Sequence, residues 1–224
     1  MGGFHGFGPK ALPFFKALKF HQSKEWFEEN RALHEAEVLE PMIALLADLT
    51  ALFAKKRVPL KADGKRSIFR LNRDIRFSKD KSPYKTHAGA VITRSGGKND
   101  PGVLYVHVSP EGCFVAAGFY MPEPETLRRM REAIKAKSAQ FKTMLKTLEK
   151  GGLKFSDYER LTRVPRGFEE LKDGPLADAV CLKSFIVEEP VDDAVVGSTE
   201  LVETMAAFTD RALPLLKFGW AALE

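Results

Sequence analysis

The chain has 224 residues, of which 44% are hydrophobic, with a formal net charge of +5 and an isoelectric point near 9.1. This composition excludes wholesale disorder, and a chain of this length can bury a core without disulfides or a metal. No apolar run approaches the roughly 18–20 residues of a membrane span, and the N-terminal residues lack the long apolar core of a secretory signal. We therefore expect a cytoplasmic protein with no membrane partner.

Helical patterns dominate residues 10–56. Residues 10–20 predict a short helix with one aromatic face, and Ser23 is a candidate N-cap for the helix that follows. Pro41 either ends or kinks that second helix, or opens the next one as its first-turn proline. Residues 42–56 repeat apolar side chains densely enough to predict a buried helix.

The middle of the chain predicts antiparallel strands. Residues 103–120 form two extended arms around residues 109–112, where a proline followed by a glycine suits a type I turn, so we expect a hairpin. Residues 86–94 predict a further strand, with the loop of residues 95–102 between it and the hairpin.

Helical patterns return after the hairpin. Residues 123–150 predict one amphipathic helix, residues 184–189 a short strand and residues 198–216 a final helix. We expect one α+β domain over residues 1–224, with a mainly antiparallel sheet in the middle of the chain and helices before and after it.

The positive charge is concentrated in one stretch. Residues 65–87 contain eight basic and two acidic residues, a net charge of +6, so the rest of the chain is close to neutral. Within this stretch residues 67–77 predict a strand, and the alternative is a helix that places residues 66, 70 and 73 on one face. In the strand, odd positions form a core face that only Arg73 interrupts. A charge among apolar residues needs a partner, and Asp74 and Asp80 are the nearest candidates.

Two stretches of the sequence carry a family resemblance. "FRLNRDIRFSKDKSPYKTHAGA" and "ALKFHQSKEWFEENR" are similar to an uncharacterised bacterial family known as domain of unknown function 2461. The resemblance extends over nearly the full length, and it implies a single α+β domain and a cytoplasmic location. It implies no activity, so the site residues below come from residue chemistry.

The first functional hypothesis is a site for a small anion, on a protein that binds or acts on a phosphorylated or carboxylated metabolite. The planar guanidinium of arginine matches phosphate and carboxylate in a bidentate way that lysine does not. Asp74 would orient the arginines, and Tyr84 or His87 would transfer protons, which makes these three the catalytic candidates. The proposed anion ligands are Arg70, Arg73, Arg76, Lys81 and Lys85.

Two other hypotheses use the same stretch. In the second, the protein is a nucleic-acid binding module in which Arg163 and Arg166 also contact phosphates, and its affinity falls steeply with salt. In the third, Arg73, Asp74 and Arg76 form an internal ion-pair network that fixes the loop and binds nothing.

No metal site or cofactor is predicted. The five histidines lack ligand spacing, and there is no phosphate-binding loop motif. A magnesium site at Asp74 and Asp80 is the alternative that a pair of carboxylates leaves open. The sheet could bring His87 and His107 together, one of them as a general base.

The two cysteines indicate the redox compartment. Cys113 and Cys181 are isolated in the sequence, which is typical of a reducing compartment, although a disulfide between them is the alternative. Neither has the sequence context of a catalytic nucleophile, and we expect both to be small core residues.

Overall fold

The structure is a computed structural model that describes residues 3–76 and 79–224. The chain folds into two compact units. The first comprises Met1–Asp100, Tyr105–Val115 and Pro190–Ala207, and the second comprises Pro101–Leu104, Ala116–Glu189 and Phe208–Glu224. A single domain over the whole chain stays a prediction.

The first unit begins with the predicted helices. Helix α1 (Ala11–Phe20) buries Phe14, Phe15 and Leu18, and helix α2 (Lys24–Glu29) follows after a short turn. The Ser23 hydroxyl accepts a hydrogen bond from the backbone N–H of Trp26 at 3.2 Å, which confirms the predicted N-cap.

The next helical run is interrupted by one segment with a different hydrogen-bond pattern. Helix α3 (Arg31–His34) continues into a π-helical segment (Glu35–Leu39) and then into helix α4 (Glu40–Lys56). Pro41 lies in the first turn of α4 and has no N–H to donate to the Glu37 carbonyl four residues earlier. The backbone N–H of Gly8 donates to that carbonyl instead, at 3.1 Å. Pro41 therefore occupies the first turn of α4, as the second predicted outcome has it, but the helical run continues into α4 from the segment before it.

The four strands form one antiparallel sheet in the order β1-β2-β3-β4. They are β1 (Ala88–Ile92), β2 (Val103–Val108), β3 (Cys113–Phe119) and β4 (Phe185–Val191). In the turn between β2 and β3, the N–H of Gly112 donates to the carbonyl of Ser109 at 3.1 Å, so the predicted hairpin is confirmed.

The helices of the remaining chain follow the prediction with three differences: one predicted helix is divided, two short helices were not predicted, and the final helix extends to Leu223. The predicted helix over residues 123–150 is two helices, α5 (Pro124–Ala136) and α6 (Ser138–Lys150), which meet at Lys137. Short helices α7 (Ala177–Cys181) and α8 (Asp193–Val196) flank β4, and α9 (Glu200–Leu223) is the final helix. The α+β class is thereby confirmed. Within residues 3–76 and 79–224, no helix is both long and apolar enough to cross a membrane.

The basic stretch is neither a regular strand nor a helix, so both predictions for residues 67–77 were wrong. A 3-10 helix (Gly64–Ser67) leads into an extended segment with isolated antiparallel bridges, Ile68 to Ala90 and Asn72 to Tyr84. The predicted core face is also wrong, because Phe69 and Ile75 are 39% and 37% exposed. A segment that is paired only through isolated bridges does not place every second side chain against another layer of the fold. Phe77 and Ser78 lie outside the described residues.

Candidate functional site

A cavity of about 460 Å³ lies within the first unit, and we call it the Arg70 cavity. The lining comes from α2, α3, the π-helical segment and the start of α4, and from Lys65, residues 68–72, Tyr84, His87, Ala88 and Lys98. The π-helical segment contributes Glu35, Val38 and Leu39. Segments of this kind occur often at functional sites, because the wider turn redirects side chains.

An aromatic pair lies in the lining of the cavity. Tyr84 is 5% exposed and its ring stacks on Phe27, with centroids 4.9 Å apart. The backbone N–H of Tyr84 donates to the Gln22 side chain at 2.9 Å, which ties the basic stretch to the end of α1. Tyr84, a sequence-predicted catalytic candidate, therefore lines the cavity as a packed and fixed side chain.

Two lysines lie beside the exposed ring of Phe69. The Lys85 and Lys98 ammonium groups lie 5.5 and 5.4 Å from its centroid. Burial lowers the pKa of Lys85, and the nearby charges of Arg70, Lys98 and Arg73 lower it further. Arg70 and Lys98 line the cavity, and Lys85 follows the lining residue Tyr84 in the chain. In the described ranges, no carboxylate pairs with Arg70, Lys85 or Lys98.

The helices also bring charge to the lining, and only part of it is paired, because within the described residues no ion pair involves Lys24 or Glu35. The Arg31 guanidinium donates two hydrogen bonds to Glu28, at 2.8 and 2.6 Å, and lies over the ring of Phe27 at 5.1 Å. The hydrogen bond from Arg31 is the main cause that lowers the pKa of Glu28. The lining therefore carries unpaired charge of both signs, with Lys24 and Glu35 on the helices and Arg70 and Lys98 on other segments.

The other arginines of the basic stretch hold its loop together. Arg73 forms an ion pair with Asp80, so one of the two predicted partners is confirmed. Arg76 binds both carboxylate oxygens of Asp74, at 2.9 and 2.6 Å. The Lys81 ammonium donates to the Ile75 carbonyl at 2.9 Å.

None of these loop residues is among the residues that line the Arg70 cavity. The hydrogen bond from Arg76 is the largest cause that lowers the pKa of Asp74, and hydrogen bonds from Ser82 are the largest cause that lowers the pKa of Asp80. Both carboxylates are thus used by the loop itself. Within the described chain, no group of three or more potential metal-ligating side chains is arranged to hold a metal ion.

The sheet brings His87 and His107 together, as the sequence suggested. Their ring centroids are 4.4 Å apart, and His87 lines the cavity. The opposite side of His107 stacks on Phe114, with centroids 4.6 Å apart, and its Nδ1 shares a 2.8 Å hydrogen bond with the Tyr105 hydroxyl. Burial, followed by the neighbouring imidazole of His87, lowers the pKa of His107 to about 4. Burial, followed by Lys85 and Arg73, also lowers the pKa of His87.

The sequence model of one family, described as "Conserved hypothetical protein (DUF2461)", matches residues 10–218 of the chain. The chain belongs to the DUF2461 family. The match includes every residue that lines the Arg70 cavity, from Lys24 to Lys98. Searches of curated proteins and of solved structures gave no significant match.

Two cavity residues of this DUF2461 member were not identified from the sequence. His34 faces the cavity, and burial lowers its pKa; its ring packs against those of Phe14 and Phe27. Lys98 comes from the loop between β1 and β2, and its ammonium donates to the Ile68 carbonyl. Neither residue had a sequence signal, because each reaches the site through pairing and packing between distant segments.

Proposed function

We propose that this DUF2461 protein binds a small molecule with a phosphate or carboxylate group in the Arg70 cavity. One observation carries the proposal: Lys85 and Lys98 lie beside Phe69, Arg70 is near enough to lower the pKa of Lys85, and within the described chain no carboxylate forms an ion pair with any of the three. Positive charges that crowd each other and lower the pKa of a lysine are unfavourable in the empty protein. An anion relieves that repulsion, and Arg70 offers it a bidentate contact.

The shape of the site favours a small molecule over a nucleic acid. The charge faces a cavity of about 460 Å³, which is within the size range of pockets for small ligands. Aromatic side chains of single-strand binding proteins stack on bases, but Phe27 and Tyr84 stack on each other. Arg163 and Arg166, which the nucleic-acid hypothesis adds, belong to the second unit, whereas the cavity belongs to the first.

The proposal divides the basic stretch into two sets of residues. Arg70 and Lys85, joined by Lys98, contact the anion. Arg73 and Arg76 carry out the role of the structural hypothesis, because each is paired with a carboxylate of the same loop. Of the five ligand-binding residues expected from the sequence, the proposal retains two.

The proposal is tested by thermal denaturation with a panel of ligands: phosphate, sulfate, sugar phosphates, dicarboxylates, nucleotides and short oligonucleotides. A ligand that binds only the folded protein stabilises it by about 2.7 kcal/mol at a concentration one hundred times its Kd. We expect at least one small anion to raise the melting temperature at both 50 and 300 mM salt, roughly spanning the range in which diffuse surface charge is screened.

The other outcomes contradict the proposal in different ways. Stabilisation by oligonucleotides alone, lost at the higher salt concentration, indicates the nucleic-acid hypothesis, because each neutralised phosphate releases counterions. No stabilisation by any member of the panel indicates that the arginines serve only the loop.

A further inference from the structure

We propose that His87 is the proton acceptor of the Arg70 cavity, and that binding of an anion between Arg70 and Lys98 is coupled to uptake of one proton by its imidazole. This inference rests on the proposed function and adds to it a group able to transfer a proton to or from the bound molecule. The step is a simple transfer: a lone pair of the neutral imidazole takes a proton from an acidic group of the ligand, or from solvent when the ligand has none.

The position of His87 supports this role. Its side chain lines the cavity directly before β1, two residues from Lys85 and three from the buried Tyr84. The ring of His107 lies against it at 4.4 Å, so neighbouring packing restrains its orientation. A restrained imidazole on a cavity wall is accessible to a molecule bound there, which a general base requires.

His107 acts as the support of His87. It does not line the cavity, one face of its ring is covered by Phe114, and its Nδ1 is already bonded to Tyr105. Two imidazoles at this distance do not both carry a charge, because each positive charge disfavours the other. His107 stays neutral, and the proton of the pair therefore resides on His87.

The charges around His87 explain why the proton arrives with the ligand. Lys85 and Arg73 from the basic stretch disfavour the imidazolium, as does burial, whereas Glu111 from the β2–β3 turn favours it. His107 from β2 also faces it. The cations outweigh the single carboxylate, which is exposed and also bound to Lys19 at 3.0 Å. An anion among these cations reverses the balance and favours the charged imidazole.

The coupling is tested by calorimetric titration of the whole protein with sulfate, which does not itself change its protonation between pH 5 and 8. An opposite charge nearby shifts a pKa by about one unit or more. We therefore expect sulfate to bind about tenfold more tightly below the titration of His87 than above it. We also expect the heat of binding to vary with the ionisation enthalpy of the buffer, and the sign of this dependence should show that the complex takes up protons.

The variant His87→Asn removes the titrating group and keeps a polar side chain of similar size. We expect it to bind sulfate with no buffer-dependent heat. His5→Asn, which changes an exposed histidine outside the cavity, is the matched control and retains the coupling. Imidazole NMR of the unmodified protein gives a second readout that does not depend on folding of a variant: one histidine of the five raises its pKa by about one unit in sulfate.

The possible results distinguish failure of the role of His87 from failure of the anion site itself. Sulfate binding without proton uptake, or uptake that persists in His87→Asn, overturns the role of His87 and leaves the anion site intact. If no sulfate or other anion of the panel binds at any pH, the proposed function fails, and this inference fails with it.

Discussion

Arg131 shows how a buried charge is stabilised in this protein without an ion pair. It is 9% exposed on α5, and its guanidinium donates hydrogen bonds to the carbonyls of Val180 and Leu182, at 2.7 and 3.0 Å. Burial lowers its pKa. Two carbonyls around the end of α7 thus accept hydrogen bonds from a side chain about fifty residues earlier in the sequence. These hydrogen bonds fix α7 against α5.

Replacing Arg131 by Ala should lower the free energy of unfolding by about 2–3 kcal/mol, because two buried carbonyls lose their hydrogen-bond donors. Arg128→Ala on the same helix is the control: Arg128 has two carboxylate partners but is more than half exposed. Pairs at such exposed positions contribute about 0–1 kcal/mol. Urea denaturation of both variants checks the prediction, and equal losses would contradict it.

The single-residue predictions succeeded where elementary electrostatics sufficed. Arg73 needed a partner because it was predicted among apolar residues, and it has Asp80. The expectation that Phe69 would lie in a core failed, because period-two alternation indicates a face but does not show whether another layer covers it. The place of Lys98 beside Phe69 depends on pairing between distant segments, which no local pattern encodes.

At the scale of elements, strands β3 and β4 approach each other closely at Gly118. Its φ is +134°, and a Cβ atom on it would lie 1.9 Å from the carbonyl oxygen of Phe185 in β4. Gly112, in the hairpin turn, has almost the same φ of +140° and nothing within 4 Å of such an atom. Substitutions at the two glycines can therefore be compared to separate the effect of backbone strain from the effect of lack of space.

Gly112→Ala should cost about 1–3 kcal/mol of stability, the usual range for a residue forced into a sparsely populated backbone conformation. Gly118→Ala should cost at least about 2 kcal/mol more, since the strands must also move apart. Chemical denaturation of the two variants measures the difference. If they lost the same stability, the close approach of β3 to β4 at Gly118 would be wrong.

Elements with local signals were predicted well. The β2–β3 hairpin follows from its turn residues, and the start of α2 follows from its Ser23 cap. The π-helical segment before Pro41 was not predicted, because the carbonyl that Pro41 leaves without a partner is satisfied by Gly8, far away in the sequence. Which of two permitted outcomes a proline adopts is decided by such tertiary contacts.

At the scale of the whole molecule, three partly buried histidines make stability depend on pH. Burial lowers the pKa of His34, His87 and His107, so the folded protein binds fewer protons than the unfolded chain between about pH 6.5 and 4. Stability from these groups is complete above the ordinary histidine pKa and decreases as the pH falls below it.

For His107 alone, whose pKa is lowered to about 4, we expect a loss of about 2 kcal/mol between pH 7 and pH 4.5. Urea denaturation at both pH values should show a smaller loss for His107→Gln than for the unmodified protein. The test compares how much stability each protein loses between the two pH values, so a pH-independent loss of stability caused by the substitution does not affect it. An unchanged pH dependence would contradict the assignment.

We propose that the two compact units unfold together as one domain. Neither unit is a continuous segment, because the chain passes from one to the other within β2, β3, β4 and α9. Loss of either unit would therefore leave strands of the other incomplete. Differential scanning calorimetry should show a single transition whose calorimetric and van't Hoff enthalpies agree, whereas two resolved transitions would indicate separate domains.

The fold class could be predicted from the sequence because amphipathic periods and turn residues are local. The candidate site was predicted in part. The concentration of charge identified Arg70 and Lys85, but the cavity itself exists only where residues 65–72 pack beside α2, α3 and the π-helical segment. Those helices supply Phe27, which stacks on Tyr84, and Arg31, which is hydrogen-bonded to Glu28.

The most direct test of the account is calorimetric titration of inorganic phosphate into the unmodified protein, Arg70→Ala and Arg66→Ala. Arg66 is the matched control: it lies in the same basic stretch, its side chain is 87% exposed and it does not line the cavity. Loss of a charged hydrogen bond costs about 1.5–3 kcal/mol, so Arg70→Ala should bind phosphate at least about tenfold more weakly, with Arg66→Ala nearly unchanged. Equal weakening by both substitutions, or by neither, would contradict an anion site at Arg70.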